Sequence, residues 1–180
     1  VFNVSDMDRD LRILIEPAAV IVHAVEQAKT IFNFKFDSYV LVQGCGPIGL
    51  LLLNMVRCLG VRNIIACDMD EKRLAMAKRL GAAYTVNAGA PDATEQVKAI
   101  TGGLGAEMLF QCTGSPKAAS KAWSYVRRGG SYCELGFFVN NGDTTYNPHL
   151  DLCNKEVKVI GSWTYQAQDW IQSFSFLKEA

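Results

Sequence analysis

Three glycines between a strand and a helix constrain this chain more than any other feature. Residues 39–42 form a short apolar run that predicts a buried strand, and residues 48–59 form an apolar stretch that predicts a helix. The segment that joins them carries three glycines at the spacing G-x-G-x-x-G: Gly44, Gly46 and Gly49. A strand, a glycine turn and a helix in this order are typical of a site that binds a dinucleotide.

Each glycine has its own physical role in that interpretation. Gly44 allows the tight turn out of the strand, Gly46 has no side chain to block a pyrophosphate, and Gly49 lets the helix pack closely on the sheet. The N–H groups at the helix start and the helix dipole then favour bound phosphates. The motif alone is weak, because glycine pairs are common in turns, so an ordinary turn before an ordinary helix is the alternative.

An aspartate supplies a second feature in the place that the first one predicts. Residues 63–67 read as the next strand, and Asp68 follows that strand, 19 residues after Gly49. An acid about 20 residues beyond the glycines accepts hydrogen bonds from a dinucleotide ribose. Its charge would repel a 2′-phosphate, so the sequence favours NAD over NADP, although Lys72 and Arg73 are near enough to weaken that preference. The alternative for Asp68 is an ordinary helix cap.

Composition bounds the size of the domain and the kinds of partner. The 180 residues are 49% apolar and suit one domain with a full core. Lysine plus arginine equals aspartate plus glutamate at 18 each, so we expect no nucleic-acid partner and no anionic membrane surface. The longest apolar runs are far shorter than a membrane span. Because the first residue is Val1 rather than methionine, we expect a fragment or domain of a longer protein.

Six cysteines indicate a reducing environment rather than a disulfide framework. None of them forms a C-x-x-C pair, and several fall within predicted strands or helices, where cysteine acts as a small apolar residue. Only two histidines are present, so we expect no self-contained zinc site. The expected location is the cytoplasm.

Strands and helices alternate along the rest of the chain. Further strands are predicted at residues 83–86, 107–112, 132–135 and 157–160, and helices at residues 17–29, 71–80, 93–100, 116–126 and 169–178. Gly129 and Gly130 predict a turn into the fifth strand, and residues 140–148 predict a polar loop. Apolar strands that alternate with helices indicate a parallel sheet covered on both faces. We therefore predict an α/β fold with a doubly wound, six-stranded parallel sheet of the Rossmann type.

Ligands bind beyond the carboxyl ends of the strands in such a sheet. Three predicted strands end in a segment that contains glycine, at residues 112–114, 135–137 and 161–163. This recurrence indicates a binding crevice in which backbone comes close to a ligand. Simple strand-to-loop turns are the alternative.

Taken together, these motifs resemble the cofactor-binding domain of medium-chain dehydrogenases of the zinc alcohol dehydrogenase type. The resemblance covers residues 14–162 and rests on short matches spread along them: Ile15-Glu16-Pro17, Gly44-Cys45-Gly46-Pro47-Ile48-Gly49, Asp68, Arg73-Leu74, Ala77-Lys78, Gly81-Ala82, Cys112-Thr113-Gly114, Gly129-Gly130 and Gly161-Ser162. It implies NAD as the cofactor and a small-molecule alcohol as the substrate.

The resemblance also implies which residues meet the cofactor. Asp68 would bind the adenosine ribose with Arg73 facing it, and Ile48 would pack against the nicotinamide. Backbone at the ends of the fifth and sixth strands would meet the carboxamide. The full set of predicted cofactor-binding residues is Gly44, Gly46, Pro47, Ile48, Gly49, Asp68, Arg73, Thr113, Gly114, Gly136, Phe137, Ser162 and Trp163.

Glu16 carries the one metal prediction. In the polyol dehydrogenase branch of the resembled family, a Glu-Pro pair at this position lies at the catalytic zinc, as a ligand or a near neighbour. The alcohol dehydrogenase branch usually has a cysteine there, so Glu16 and Pro17 imply sorbitol-like or other secondary-alcohol substrates. The alternative is an acid at a helix start, where the helix dipole favours it.

The resembled family has a first, GroES-like catalytic domain that nothing in this sequence replaces. One carboxylate cannot hold a catalytic zinc, which needs about three protein ligands. We therefore expect the NAD(H)-binding domain of a zinc-dependent oxidoreductase that moves hydride between a secondary alcohol or polyol and NAD. The domain would be inactive alone, with zinc in the full-length parent only. The alternatives are an NAD-sensing regulatory module, a zinc-free medium-chain reductase and an S-adenosylmethionine-binding domain such as that of a methyltransferase.

Two expectations concern organisation. Residues 1–30 would be a linker segment and a helix from the boundary with the catalytic domain, and residues 31–180 would be the dinucleotide-binding domain. Members of the resembled family often pair their cofactor domains edge to edge, which implies a homo-oligomer joined through the sixth strand.

Overall fold

Among the residues that the structure describes, six short strands form one sheet, in which every neighbouring pair is parallel. Their bounds are Tyr39–Gln43 (β1), Asn63–Asp68 (β2), Tyr84–Asn87 (β3), Ala106–Gln111 (β4), Val126–Glu134 (β5) and Lys158–Gly161 (β6). This computed structural model describes residues 3–179, so residues 1–2 and 180 of the two predicted domains lie outside the described part. The strand order is β3-β2-β1-β4-β5-β6, which confirms the doubly wound prediction and places the switch in direction between β1 and β4.

Helices cover both faces of the sheet. Their bounds are Arg9–Arg12 (α1), Ile15–Lys29 (α2), Pro47–Cys58 (α3), Glu71–Arg79 (α4), Ala93–Ile100 (α5), Pro116–Ala122 (α6) and Ala167–Glu179 (α7). Helices α2, α3, α4 and α7 pack on one face, against Val40 and Val42 of β1, while α5 and α6 pack on the other, against Leu41. All three of these β1 side chains are fully buried, which explains why the strand is apolar without alternation.

The chain between β4 and β6 departs from the sequence predictions. The helix predicted at residues 116–126 ends at Ala122, because the chain turns and joins the sheet: Ala106 N donates to Tyr125 O at 2.8 Å. Gly129 and Gly130 lie inside β5 rather than in a turn before it. Since Val126 pairs with Ala106 and Ser131 with Met108, residues 127–130 bulge opposite Glu107.

Two short elements gave no sequence pattern. Helix α1 begins after the cap Asp8, and a π-helical turn, Pro148–Cys153, begins after the cap Asn147 at the end of the predicted polar loop. Neither element has a buried residue, so neither shows the apolar spacing that predicts a helix. No helix among residues 3–179 is long and apolar enough to cross a membrane.

Helix α2 packs as part of the main core and is tied to α7 by a buried polar contact. Ile21, Val22 and Val25 of α2 are fully buried in the cluster beneath the sheet. His23 Nδ1 lies 3.0 Å from Asp169 Oδ2, and only 1% of Asp169 is exposed. The division of the chain at residue 30 therefore stays a prediction about the whole protein, while α2 and the sheet share one core.

We expect His23→Ala to lower the free energy of unfolding by about 1–3 kcal/mol, because a buried carboxylate loses its side-chain partner. Urea unfolding measures the change. Lys29→Ala is the matched control on the same helix, since its pair with Glu26 at 2.6 Å is exposed, and we expect a change of about 0.5 kcal/mol or less. Equal effects of the two variants would contradict the assignment of His23–Asp169 as a helix-to-helix tie.

Candidate functional site

The glycine turn after β1 leaves open space at its centre. Gly44 has a φ of +94°, a conformation that side chains disfavour. A Cβ on Gly46 would have no heavy atom within 4 Å, whereas a Cβ on Gly49 would overlap the carbonyl oxygen of Gly44. Gly49 is therefore required by the packing of α3 on the turn. The protein itself does not require a glycine at position 46, which leaves room there for a ligand.

The start of α3 faces this open space without a side-chain cap. Pro47 occupies the first helical position and has no N–H, while Ile48 and Gly49 follow in the first turn, where N–H groups have no partner within the helix. Such groups and the helix dipole favour a negative charge. The geometry fits a phosphate-containing cofactor at this turn.

Asp68 lies at the end of β2 and contacts both the glycine turn and the start of α4. The residue is 8% exposed, and its Oδ2 accepts a hydrogen bond from Cys45 N at 2.6 Å. Its Oδ1 accepts from Asp70 N at 2.9 Å, and Arg73 Nη1 lies 3.8 Å from Oδ2. The carboxylate thus fixes the glycine turn against β2.

The helix-cap alternative for Asp68 is wrong, because Asp70 has that role. The Asp70 side chain accepts hydrogen bonds from Lys72 N at 2.8 Å and from Arg73 N at 3.3 Å at the start of α4. Each Asp68 oxygen accepts one backbone hydrogen bond, and a carboxylate oxygen has lone pairs for a further donor.

The ends of β4 and β5 approach each other closely. A Cβ on Gly114 would lie 2.7 Å from Gly136 O, and a Cβ on Gly136 would lie 2.6 Å from Gly114 N. Thr113 adjoins the first turn, since a Cβ on Gly44 would lie 2.8 Å from its Cγ2. Contacts between the strand ends therefore explain why positions 114 and 136 are glycines. Four predicted residues lie along one continuous stretch of the carboxyl edge of the sheet: Gly44, Thr113, Gly114 and Gly136.

The end of β6 completes this edge. Ser162 N donates to Glu134 O at 2.9 Å, and the Ser162 Oγ is buried with no hydrogen-bond partner among the described residues. Trp163 is 61% exposed and stacks on Phe138, with ring centroids 5.2 Å apart, while the neighbouring Phe137 is half-buried. The hydroxyl therefore has an unused hydrogen-bonding capacity below the surface, and the exposed aromatic pair offers apolar contact to a ligand.

Two buried glutamines at the switch point escaped the sequence analysis. Gln43 and Gln111 end β1 and β4, stand opposite each other in register, and are 2% and 0% exposed. Gln111 Oε1 accepts from Thr113 N at 2.6 Å, and Gln43 Nε2 donates to Ala118 O at 2.9 Å. They shape the crevice by holding the β4 end and α6. The available signal was a polar residue closing each of two apolar strands.

The thiols near the crevice stay protonated. Burial, and secondly the charge of Asp68, raises the pKa of Cys45 to about 12, and burial raises the pKa of Cys112 well above its usual value. Burial also raises the pKa of Glu134, whose oxygens accept from Tyr132 Oη at 2.7 Å and Gly136 N at 2.9 Å. Neither thiol is suited to act as a nucleophile.

The described residues do not form a zinc site. Glu16 lies in the first turn of α2 and is exposed. Among residues 3–179, no three histidine, cysteine, aspartate or glutamate side chains converge as metal ligands. A catalytic zinc needs about three protein ligands, so the donor set in this part of the chain does not fit the metal.

A cavity of about 480 Å³ lies at the opposite, amino ends of the strands. It is lined mainly by polar residues, including Glu107 and Arg127, whose side chains form an ion pair at 2.8 Å. None of the predicted cofactor-binding residues lines it. The glycine turn, the uncapped helix start and Asp68 are all at the carboxyl edge, so we place the candidate site there.

Comparison with known proteins identifies the family of this chain. The sequence pattern of the family described as zinc-binding dehydrogenase matches residues 47–179. A sorbitol dehydrogenase of Halalkalibacterium halodurans is 34% identical over 165 residues, which cover 91% of this chain and 46% of that protein. This chain belongs to the zinc-binding dehydrogenase family. The membership favours a dehydrogenase module over the S-adenosylmethionine alternative.

Solved structures share the fold. Galactitol-1-phosphate dehydrogenase from Escherichia coli is 25% identical with a TM-score of 0.84, over 97% of this chain and 51% of that one. A zinc-binding dehydrogenase from Sinorhizobium meliloti bound to NADP is 24% identical with a TM-score of 0.79, over 92% of this chain and 48% of that one. The chain spans less than half the length of the curated relatives it matches, between 36% and 46% for those compared.

Two glycine variants distinguish a position that leaves room for a ligand from one that the packing of the fold requires. We expect Gly46→Val to abolish NADH binding with little change in thermal stability, because its side chain enters open space at the helix start. We expect Gly49→Ala to destabilise the fold by about 1–3 kcal/mol, because its Cβ overlaps the Gly44 carbonyl. NADH fluorescence titration and thermal unfolding measure the two effects. Normal NADH binding by Gly46→Val would refute the phosphate role.

Proposed function

We propose that this chain is the NAD(H)-binding part of an oxidoreductase that transfers hydride between a secondary alcohol or polyol and NAD. The observation that carries the proposal is the uncapped start of α3 beside open space at Gly46, with the Asp68 carboxylate on the next strand. Family membership and the sorbitol dehydrogenase relative support the substrate class.

In this proposal the chain binds and orients the cofactor. The first turn of α3 holds the pyrophosphate through its N–H groups, and Asp68 with Arg73 holds the adenosine ribose. Ile48 packs against the nicotinamide, and backbone at the ends of β5 and β6 receives the carboxamide. Bound NAD supplies the hydride acceptor, and the protein contributes its position relative to the alcohol.

We further propose that zinc belongs to the full-length protein and that its remaining ligands lie outside this chain, with Glu16 as a ligand or near neighbour. The exposed position of Glu16 supports this, since the side chain is available to another part of the protein. This chain would then be inactive alone. An NAD-sensing module and a zinc-free reductase are the competing proposals. A reducing cytoplasm suits the six free cysteines, of which three are buried.

Calorimetry tests the cofactor. We expect NADH to bind more tightly than NADPH, because the Asp68 charge repels a 2′-phosphate. Asp68→Gly should weaken NADH binding by about 1–3 kcal/mol and narrow the difference between the cofactors. The loss should also include a contribution from the turn, because Cys45 N loses its acceptor. Asp70→Asn is the control: it removes a neighbouring charge but keeps a helix cap, so the NADH preference should persist. Equal affinity of the unmodified protein for both cofactors would defeat the NAD proposal.

We also propose that the chain self-associates through β6. This strand pairs only with β5 and lies at the edge of the sheet, where Val159 is 48% exposed. An unpaired apolar edge favours pairing with another strand, and a two-fold axis would set β6 against its own copy in antiparallel orientation.

Sedimentation at micromolar concentration tests the edge contact. We expect the unmodified protein to be a dimer or larger and Val159→Pro to shift it towards monomer, because proline removes an N–H from the edge. Val139→Pro, in an exposed loop, is the control and should leave the assembly unchanged. A monomeric unmodified protein would show that the proposal is wrong.

A further inference from the structure

One asparagine in the loop after β5 belongs to a chemically reactive sequence. It also contacts the carboxyl edge of the sheet, where we propose that the cofactor binds. Asn141 precedes Gly142, and this is the only Asn-Gly pair in the chain. Residues 138–150 are all exposed, and residues 140–147 have neither helix nor strand structure. Gly142 has a φ of +107° and no side chain, so little hinders the peptide nitrogen that follows Asn141.

Asn141 ties this loop to the end of β4. Its Nδ2 donates a hydrogen bond to Gly114 O at 3.0 Å. Gly114 in turn packs against Gly136, and both are predicted to line the cofactor crevice. The loop is also held by a hydroxyl contact between Ser120 and Thr144 at 2.9 Å, by stacking of Tyr146 on Trp123, and at its start by stacking of Phe138 on Trp163. The Asn141 amide is the contact that bonds the loop to the end of β4.

We propose that Asn141 is a site of spontaneous deamidation, and that the reaction releases the loop from Gly114 and weakens cofactor binding. The second half rests on the proposed NAD(H) site. In the reaction, the backbone nitrogen of Gly142 attacks Cγ of Asn141, the bond from Cγ to Nδ2 breaks, and ammonia leaves. Water then opens the succinimide to aspartate or isoaspartate. No electrons are transferred, and water is the co-reactant.

Two hydrogen bonds of the loop must open before the reaction can occur. Gly142 N donates to Asn140 Oδ1 at 3.1 Å, and the Asn141 amide is bonded to Gly114 O. Both bonds are exposed, so local opening of the loop frees the attacking nitrogen and the amide together. Higher pH should accelerate the reaction, because the attacking nitrogen must lose its proton.

The product cannot restore the contact. A carboxylate accepts hydrogen bonds but does not donate them, so it repels the Gly114 carbonyl that the amide had bonded. It also adds a negative charge near an edge that is proposed to hold a pyrophosphate. Isoaspartate lengthens the backbone in addition. Deamidation therefore acts in one direction, towards a detached loop and a weaker site.

Peptide mapping by mass spectrometry tests the chemistry without reference to NAD. The purified protein is incubated at mildly alkaline pH and sampled over time. We expect Asn141 to convert while Asn147 stays intact, because Asn147 precedes Pro148, which has no N–H to attack. An intact Asn141 after incubation, or equal conversion at Asn140, Asn141 and Asn147, would overturn the assignment.

Two matched variants test the consequence. We expect Asn141→Asp to speed amide hydrogen exchange in residues 137–147 and to weaken NADH binding about tenfold, or about 1.4 kcal/mol. Asn140→Asp adds the same charge one residue away and keeps an acceptor for Gly142 N, so both properties should stay near those of the unmodified protein. Equal behaviour of the two variants would overturn the link to the cofactor edge. If no form binds NADH, the proposed function fails, while hydrogen exchange still decides whether the loop detaches.

Discussion

The packing of α3 on the turn after β1 is the contact on which the cofactor edge depends. Gly49 has no room for a Cβ because the Gly44 carbonyl occupies that place. This approach brings the first turn of α3 to the carboxyl end of the central strand, next to the switch point of the sheet. The free N–H groups of a helix start then face the crevice where doubly wound sheets bind ligands. Without this approach, the same helix would cover the sheet but would not form the anion site that we propose.

Asp68 extends that constraint to the neighbouring strand. Its bond to Cys45 N at 2.6 Å means that the carboxylate proposed to bind the ribose also shapes the glycine turn. In the proposed site, a substitution of Asp68 therefore changes the geometry of the phosphate-binding turn as well as the charge at the ribose. The Arg73 guanidinium at 3.8 Å offsets part of that charge, and with it part of the repulsion of a 2′-phosphate.

Local patterns predicted most of the fold, because the central strands are apolar and several helices have a glycine just after their end or a proline at their start, as at Gly60, Gly81 and Pro116. The sequence located β1, α3, β2 and α5 to within a residue or two. It also predicted the tight turn at Gly44 and the close packing at Gly49, while the ribose role of Asp68 stays a prediction. The sequence predictions failed where contacts between distant segments determine the local structure. The bulge at residues 127–130 and the early end of α6 depend on pairing with β4. The Asp68 bond to Cys45 and the contact between Gly114 and Gly136 join segments that are distant in sequence, so no local pattern could predict them.

Backbone amide chemical shifts measured during an NADH titration test most directly which edge of the sheet binds the cofactor. The account predicts the largest shifts at Ile48 and Gly49 in the first turn of α3, with further shifts at Cys45 and Gly114. The amino-end cavity, reported by Gly105 and Gly129, should be unaffected. Shifts concentrated at Gly105 and Gly129, or none at Ile48 and Gly49 on saturation with NADH, would contradict it.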